Sequence, residues 1–166
     1  MKLAKALTFW PVLLGLVAVD CTTKQLAVDN LSPALVPHEV VGDVVRFTLA
    51  YNPDAAMGLS LGEYSRIGFG VIAVVMIGAL FVYRRRLAQQ SGLQSVALGM
   101  IAGGATGNLI DRVRSEQGVV DFIDVGVGTA RFYTFNVADA AVFCGAVLLL
   151  LLLAREDRPA QPASMR

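Results

Sequence analysis

Four apolar segments constrain the fold of this 166-residue chain more than any other feature. A helix that crosses the hydrocarbon core of a bilayer needs about 20 predominantly apolar residues. The segments at residues 7–26, 67–83, 95–110 and 137–154 meet that need. Only 16% of the residues are charged, which is less than a soluble domain of this size carries. The sequence therefore predicts an all-α polytopic membrane protein with four transmembrane helices, organised as a single membrane-embedded domain over residues 1–166.

Basic residues set the predicted orientation, because loops rich in Lys and Arg stay in the cytoplasm. With four spans, eight such residues fall on one side of the membrane. They are Lys2, Lys5, Arg84, Arg85, Arg86, Arg155, Arg158 and Arg166. We therefore expect both termini in the cytoplasm and the loops at residues 27–66 and 111–136 on the outer side. The tail at residues 156–166 is rich in Pro and Ala and is expected to be disordered.

The first outer loop carries a strand signal. Residues 40–51 are rich in β-branched and aromatic side chains, and they are bounded by Pro37 and by Asn52-Pro53. This pattern predicts one or two short strands at the membrane surface. Composition alone leaves open whether they form an ordinary folded loop or a platform that shapes a substrate site.

Several classes of function are disfavoured by what the chain contains. Its single histidine, His38, and its two cysteines, Cys21 and Cys144, form no ligand cluster in the sequence, so neither a zinc site nor a disulfide is expected. The formal net charge is +1 and no stripe of basic residues is present, which argues against a nucleic-acid partner.

Polar residues collect at the predicted outer ends of three spans. They are Asp20 and Lys24 on the first span, Asn108, Asp111 and Arg112 on the third, and Asn136 and Asp139 on the fourth. One such set is explained by capping or snorkelling. Three sets on different helices favour a shared polar site. Gly103 and Gly107 form a small-xxx-small pair that lets helices approach closely, as packing alone or to position the neighbouring Asn108.

Asp121 and Asp139 are the main candidates for chemistry. Two adjacent carboxylates cannot both ionise easily, so one keeps a proton. Such a pair can activate water with one member and protonate the scissile group with the other. Asp124, three residues from Asp121, is the rival for the first position. From the residues alone, an aspartyl hydrolase at the membrane surface and a small transporter with a proton-relay carboxylate both remain open.

Five motifs together resemble those of the lipoprotein signal peptidase (signal peptidase II) family, in the same order and over nearly the whole chain. They are DCTTK at residues 20–24, NPDAA at 52–56, GGATGNLIDR at 103–112, VVDF at 119–122 and FNVAD at 135–139. The resemblance implies an aspartyl endopeptidase of the bacterial inner membrane. Such an enzyme cuts prolipoproteins before a cysteine that already carries diacylglycerol, needs no metal or cofactor, and is inhibited by globomycin.

The resemblance also implies an architecture and partners. It adds to the four helices a small periplasmic β-cradle at about residues 37–62 and an outer-face helix or loop over the site. The expected partners are diacylglyceryl-modified prolipoproteins and membrane lipid, and a monomer is expected.

Carried over by motif, Asp121 and Asp139 match the catalytic dyad. Eight further positions match residues that bind substrate or support the site. They are Asp20, Lys24, Asn52, Gly104, Asn108, Arg112, Asn136 and Ala138. Lys24 is expected to neutralise Asp20. Arg112 is expected to pair with Asp111 or to contact the substrate peptide, and Asp111 is expected to support the end of that helix.

Three departures from the family pattern stand near the site. Asp54 and Met57 occupy positions where the family commonly has glycine and phenylalanine, and Cys21 stands where glutamine is frequent. Asp54 puts a charge close to the site loop and leaves the local shape of that loop open. A non-enzymatic transporter or an inactive family member is the alternative function.

Overall fold

Four long helices dominate the computed structural model, which describes residues 2–54, 59–87 and 92–156. They are α1 (Lys2–Asn30), α2 (Ser65–Leu87), α3 (Gly92–Arg114) and α4 (Val137–Glu156). Each is long and apolar enough to cross a membrane, and the predicted spans lie inside them. The helices continue beyond the apolar cores of the spans, so that Lys24 and Arg112 remain on regular helix. Met57 and the tail at residues 157–166 lie outside the described residues.

Helix α3 is the centre of the helical bundle and packs against each of the other three helices. Its glycines make this close packing feasible. A Cβ atom on Gly103 would lie 3.1 Å from the carbonyl oxygen of Leu13 on α1, and one on Gly104 would overlap the carbonyl oxygen of Ala138 on α4. The predicted close approach is therefore present on two faces of one helix. Beneath it, Phe9, Leu13, Leu98 and Ala102 form the buried apolar core between α1 and α3.

A four-stranded antiparallel sheet joins the two outer loops. Its strands are β1 (Pro37–Val41), β2 (Val45–Asn52), β3 (Val119–Val127) and β4 (Ala130–Arg131), in the spatial order β1-β2-β3-β4. The strands expected in the first outer loop are present as β1 and β2. The prediction that the cradle lies within residues 37–62 was too narrow, because its other half comes from the second outer loop.

Strand β3 escaped the sequence analysis because its two aspartates interrupt an apolar run. Pairing with β2 creates the strand and sets its register, with Ala50 opposite Asp121 and Arg46 opposite Asp124. The outer-face helix or loop expected between β2 and α2 contains, over its described residues, a single 3-10 turn at Gly62–Tyr64.

Candidate active site

Asp121 is held at the junction of the sheet and the helices. It is the third residue of β3 and only 3% exposed. Its Oδ2 accepts a hydrogen bond from Asn52 Nδ2 at 3.2 Å, and its Oδ1 accepts one from Asn136 Nδ2 at 2.7 Å. Asn52 is available because the β2–β3 pairing brings the end of β2 beside the start of β3. The Asn52 Oδ1 atom accepts the backbone N–H of Asp54 at 3.0 Å, which leaves its Nδ2 to face Asp121.

Asp139 belongs to the first turn of α4 and forms a reciprocal cap with Asn136. The Asn136 side-chain oxygen accepts the backbone N–H of Asp139 at 2.9 Å, and Asp139 Oδ2 accepts the backbone N–H of Asn136 at 3.2 Å. This is the geometry of a capping box, with Asn136 as N-cap and Asp139 three residues later. The other carboxylate oxygen, Oδ1, accepts a 2.7 Å hydrogen bond from Asn108 Nδ2. Capping therefore occupies only one oxygen of Asp139, as expected from its depth in the helix.

Two asparagines join the carboxylates into one network. The buried side chain of Asn136 donates to Asp121, and it also donates to Asn108 Oδ1 at 3.1 Å. Asn108 in turn donates to Asp139. Asp121 and Asp139, predicted as a pair, thus share a set of amide donors contributed by α3 and by the start of α4.

The electrostatics of Asp121 follow from this setting. Burial raises the pKa of the Asp121 carboxyl from 3.8 to about 7, and the negative charge of Asp139 raises it further in the same direction. The hydrogen bonds from Asn52 and Asn136 oppose the shift. A carboxyl with a pKa near neutrality can give or take a proton at physiological pH.

Lys24 is the hub of a second, buried network. Its ammonium lies 2.7 Å from Asp20 Oδ2, 2.8 Å from Asp111 Oδ2 and 2.9 Å from Asn108 Oδ1. Asp20 Oδ1 also accepts the backbone N–H of Ala138 at 2.9 Å, which ties α1 to the first turn of α4. The expected pairing of Lys24 with Asp20 is present, and Asp111 joins it as a second carboxylate.

Arg112 makes different contacts from those expected. The carboxylate of Asp111 is taken by Lys24 and by the backbone N–H of Val120 at 3.2 Å. Arg112 instead donates to two carbonyl oxygens, that of Asn108 at 3.1 Å and that of Asp54 at 2.8 Å. Its Nε is buried without a hydrogen-bond partner among the described residues. The expected Asp111–Arg112 pair was wrong because the outer end of α3 turns Asp111 toward α1.

The side chain of Asp54, the acidic departure from the family pattern, bonds to serine hydroxyls. Hydrogen bonds from Ser65 and Ser60 lower the pKa of Asp54 below its ordinary value. Ser65 also accepts the backbone N–H of Leu61 at 2.7 Å. The charge of Asp54 is therefore directed toward the start of α2, while its carbonyl oxygen meets Arg112.

Asp124, the rival of Asp121, takes part in a separate ion pair. Its Oδ1 accepts a 2.6 Å bond from Arg131 Nε, and its Oδ2 accepts one from Thr48 Oγ1 at 3.1 Å. Residues three apart on a strand lie on opposite faces, so Asp124 cannot share the environment of Asp121. Its contacts tie β3 to β2 and β4.

Arg66 is a site neighbour that the sequence analysis missed. It donates from the start of α2 to the carbonyl oxygen of Arg112 at 3.1 Å, where α3 ends. A cation at a helix C-terminus is stabilising. An arginine at the outer end of an apolar span was the available signal. Arg66 and Arg112 stand at one end of an otherwise apolar groove of about 380 Å³ between α2 and α3, whose walls include Val71, Val74 and Leu109.

The described fold and site define a class of protein: a multi-pass membrane protein with four membrane-length helices, a small outer-loop sheet and a pair of networked carboxylates beside that sheet. The family model described as "Signal peptidase (SPase) II" matches residues 12–155. The chain therefore belongs to the signal peptidase II family, whose members are membrane proteases that remove signal peptides from prolipoproteins.

Named relatives agree with that assignment. A lipoprotein signal peptidase of Geobacillus thermodenitrificans is 33% identical over 148 residues, which cover 89% of each chain. One from Geobacter sulfurreducens is 36% identical over 156 residues, covering 93% of this chain and 96% of the relative. A solved structure described as a bacterial membrane enzyme, determined by the in meso method at 2.3 Å resolution, has a TM-score of 0.80 and 28% identity, with 93% of this chain and 92% of that chain covered.

Proposed function

We propose that this chain is an aspartyl endopeptidase that removes the signal peptide from diacylglyceryl-modified prolipoproteins by cutting before the lipidated cysteine. Asp121 and Asp139 are its catalytic pair. The observation that carries the proposal is that both carboxylates are hydrogen-bonded within one asparagine network, through bonds of 2.7 Å to Asn136 and to Asn108. Asp124 is engaged elsewhere by Arg131.

The two carboxylates have different environments, which supports different roles. Asp121 is buried and its pKa is raised to about 7, so it holds the proton at the start of the cycle. Asp139 is at a helix N-terminus and accepts bonds from Asn108 and from the Asn136 backbone, which favours its ionised form. We therefore assign Asp139 as the base and Asp121 as the acid.

The proton transfers balance within the pair. Asp139 takes a proton from water as the water oxygen bonds to the scissile carbonyl carbon. Asp121 gives its proton to the amide nitrogen, the C–N bond breaks, and a carboxylic acid and an amine result. Asp139 then returns a proton to Asp121, which restores the starting state.

The remaining site residues hold or complement this pair. Asn52 and Asn136 orient Asp121, and Asn108 orients Asp139. Arg112 interacts electrostatically with both carboxylates and has a buried Nε without a partner among the described residues. It is suited to bind a carbonyl oxygen of the substrate. Gly104 and Ala138 allow α3 and α4 to approach closely enough for these contacts.

The groove between α2 and α3 supports a lipid-modified substrate. Its apolar walls suit acyl chains, and it ends at Arg112 beside the site. In this proposal both termini lie in the cytoplasm, the enzyme is a monomer of the inner membrane, and the site faces the periplasm. The polar residues gather at one end of the helices, whereas a transporter is expected to place its ion and substrate sites near the middle of the membrane.

The test is cleavage of a diacylglyceryl-modified prolipoprotein by the purified full-length protein in detergent, with and without globomycin. We expect the diacylglyceryl-cysteine to become the new N-terminus, as read by mass spectrometry, and globomycin to block the cleavage. The unmodified prolipoprotein is the matched control and should remain intact. A folded preparation that leaves the lipidated substrate uncut would instead favour an inactive family member or a transporter.

A further inference from the structure

Lys24 is buried between α1 and α3 and uses all of its hydrogen-bonding capacity inside the protein. Its side chain is 3% exposed, and its ammonium meets Asp20, Asp111 and Asn108 at 2.7, 2.8 and 2.9 Å. An ammonium has three N–H donors and no acceptor. No donor is left for a substrate, so any part that Lys24 plays in the reaction acts through its neighbours.

The neighbour that matters is Asn108, because its two ends face opposite partners. Its Oδ1 accepts from Lys24 at 2.9 Å and from Asn136 at 3.1 Å, while its Nδ2 donates to Asp139 Oδ1 at 2.7 Å. Rotated by half a turn, the amide would turn N–H groups toward the ammonium and a carbonyl oxygen toward the carboxylate. Both contacts would be repulsive. Lys24 therefore determines which end of the amide Asp139 meets.

We propose that Lys24 is a positioning residue, which holds the Asn108 amide with its Nδ2 toward Asp139 and so keeps Asp139 in the ionised form that acts as base. A donor stabilises an ionised carboxylate, whereas a carbonyl oxygen in the same place stabilises a protonated one. The inference rests on the proposed function, because it needs Asp139 to be the base. It goes beyond charge neutralisation of Asp20, the role expected for Lys24.

Other charges around Asp139 must be held constant in any test. They come from three elements that surround the start of α4: Asp20 and Lys24 on α1, Asp111 and Arg112 on α3, and Asp121 on β3. Removing Lys24 alone changes both the orientation of the amide and the local charge. A variant that removes one cation and one anion together separates the two effects.

The experiment compares the pH dependence of kcat/KM for a diacylglyceryl-modified prolipoprotein in four full-length enzymes in detergent. They are the wild type, Lys24→Met, Asp111→Asn, and the double variant Lys24→Met with Asp111→Asn. The acid limb of this profile reports the base of the free enzyme. Asp111→Asn is the matched control, because it keeps the bond from Lys24 to Asn108.

We expect the acid limb to move up by about one pH unit or more in Lys24→Met and equally in the double variant. Cleavage at pH 6 then falls roughly ten- to hundredfold and partly recovers at higher pH, as expected for a lost hydrogen bond to a charged group. In Asp111→Asn the limb stays in place or moves down. A double variant with the wild-type acid limb, or one that loses activity equally at every pH, overturns the inference.

Two further enzymes keep the result decisive. Asp20→Asn combined with Lys24→Met is also neutral in net charge, so it replaces the first double variant if that protein fails to accumulate. Asp139→Asn is assayed in parallel. An inactive Asp139→Asn beside an unmoved acid limb in the double variant overturns only the positioning role of Lys24. Full activity of Asp139→Asn overturns the proposed catalytic pair and this inference with it.

Discussion

Asn136 donates a 2.7 Å hydrogen bond to Asp121, although the two residues are 15 positions apart and lie on different elements. The same asparagine caps α4 and exchanges backbone contacts with Asp139. One buried amide thus sets the position of both proposed catalytic carboxylates. The predictions that follow test this arrangement and its surroundings.

Replacing either proposed catalytic residue with asparagine should remove activity without removing the protein. We expect Asp121→Asn and Asp139→Asn each to lower the cleavage rate by about 10²- to 10⁴-fold or more, since each loses a group that takes or gives a proton. The measurement is cleavage of a diacylglyceryl-modified prolipoprotein at equal amounts of membrane-extracted enzyme. Full activity in either variant would contradict the assignment.

Asp124→Asn is the matched control for that experiment. Because Asp124 binds Arg131 and Thr48 and is not part of the asparagine network, its cleavage rate should stay within a few-fold of the wild type. The cost should appear in the free energy of unfolding, which we expect to fall by about 1–3 kcal/mol as Arg131 loses a charged acceptor. Thermal unfolding in detergent checks the second expectation. Loss of cleavage in a well-folded Asp124→Asn enzyme would reopen the choice between the two aspartates.

The pH dependence of cleavage should report Asp121. Its pKa in the folded protein, about 7, lies above its ordinary value of 3.8, so the carboxyl keeps its proton up to neutral pH and loses it above. As the acid of the reaction it must be protonated, and kcat/KM should therefore fall by about tenfold per pH unit on the alkaline side of pH 7.

Asn52→Ala sharpens the pH prediction. The hydrogen bond from Asn52 lowers the pKa of Asp121, so its loss should raise that pKa and move the alkaline limb to higher pH. Asn30→Ala, at the exposed end of α1, serves as the matched control and should leave the limb in place. A limb that moves to lower pH in Asn52→Ala would show that it does not belong to Asp121.

Asn136 should separate its capping role from its role in the site. Asn136→Ala removes both, and we expect about 1 kcal/mol of stability to be lost with the cap and a further 1–3 kcal/mol or so from unsatisfied buried partners. Asn136→Ser keeps an N-cap oxygen but has no amide to reach Asp121. It should retain more stability than the alanine variant while cleavage remains at least about tenfold reduced. Equal cleavage by the serine variant and the wild type would exclude the amide from the site.

Gly104 should be intolerant of even a methyl group. A Cβ atom there would overlap the carbonyl oxygen of Ala138 and lie 2.8 Å from Val142 Cγ2, both on α4. We expect Gly104→Ala to lose about 1–3 kcal/mol of stability through overpacking, or to displace the start of α4 and lower cleavage. Gly78→Ala is the matched control, because a Cβ atom on Gly78 meets nothing within 4 Å. Similar melting temperatures for the two variants would contradict this account of α3–α4 packing.

What local pattern could reveal, the sequence revealed. Long apolar runs identify helices because a span depends on its own composition, and the i,i+4 spacing of Asp20 and Lys24 predicts a pair within one helix. The strand signal in residues 40–51 is of the same kind. These features needed no information from elsewhere in the chain.

The partners of Asp111 and the limits of the sheet were decided by tertiary structure. Lys24 claims Asp111 because α1 packs against that face of α3, and no periodicity within α3 reports this. Strand β3 forms because β2, from a loop nearly seventy residues earlier, supplies its hydrogen-bonding partner.

The aspartates show the same division most clearly. By itself the sequence determined that carboxylates, amides and a lysine stand at the ends of membrane-length helices, because composition and helical spacing are local properties. Only the tertiary structure decided that Asp121 faces the asparagine network while Asp124 faces Arg131. The physical reason is that a strand sends alternate side chains to opposite faces, and which face is buried against the helices depends on long-range pairing.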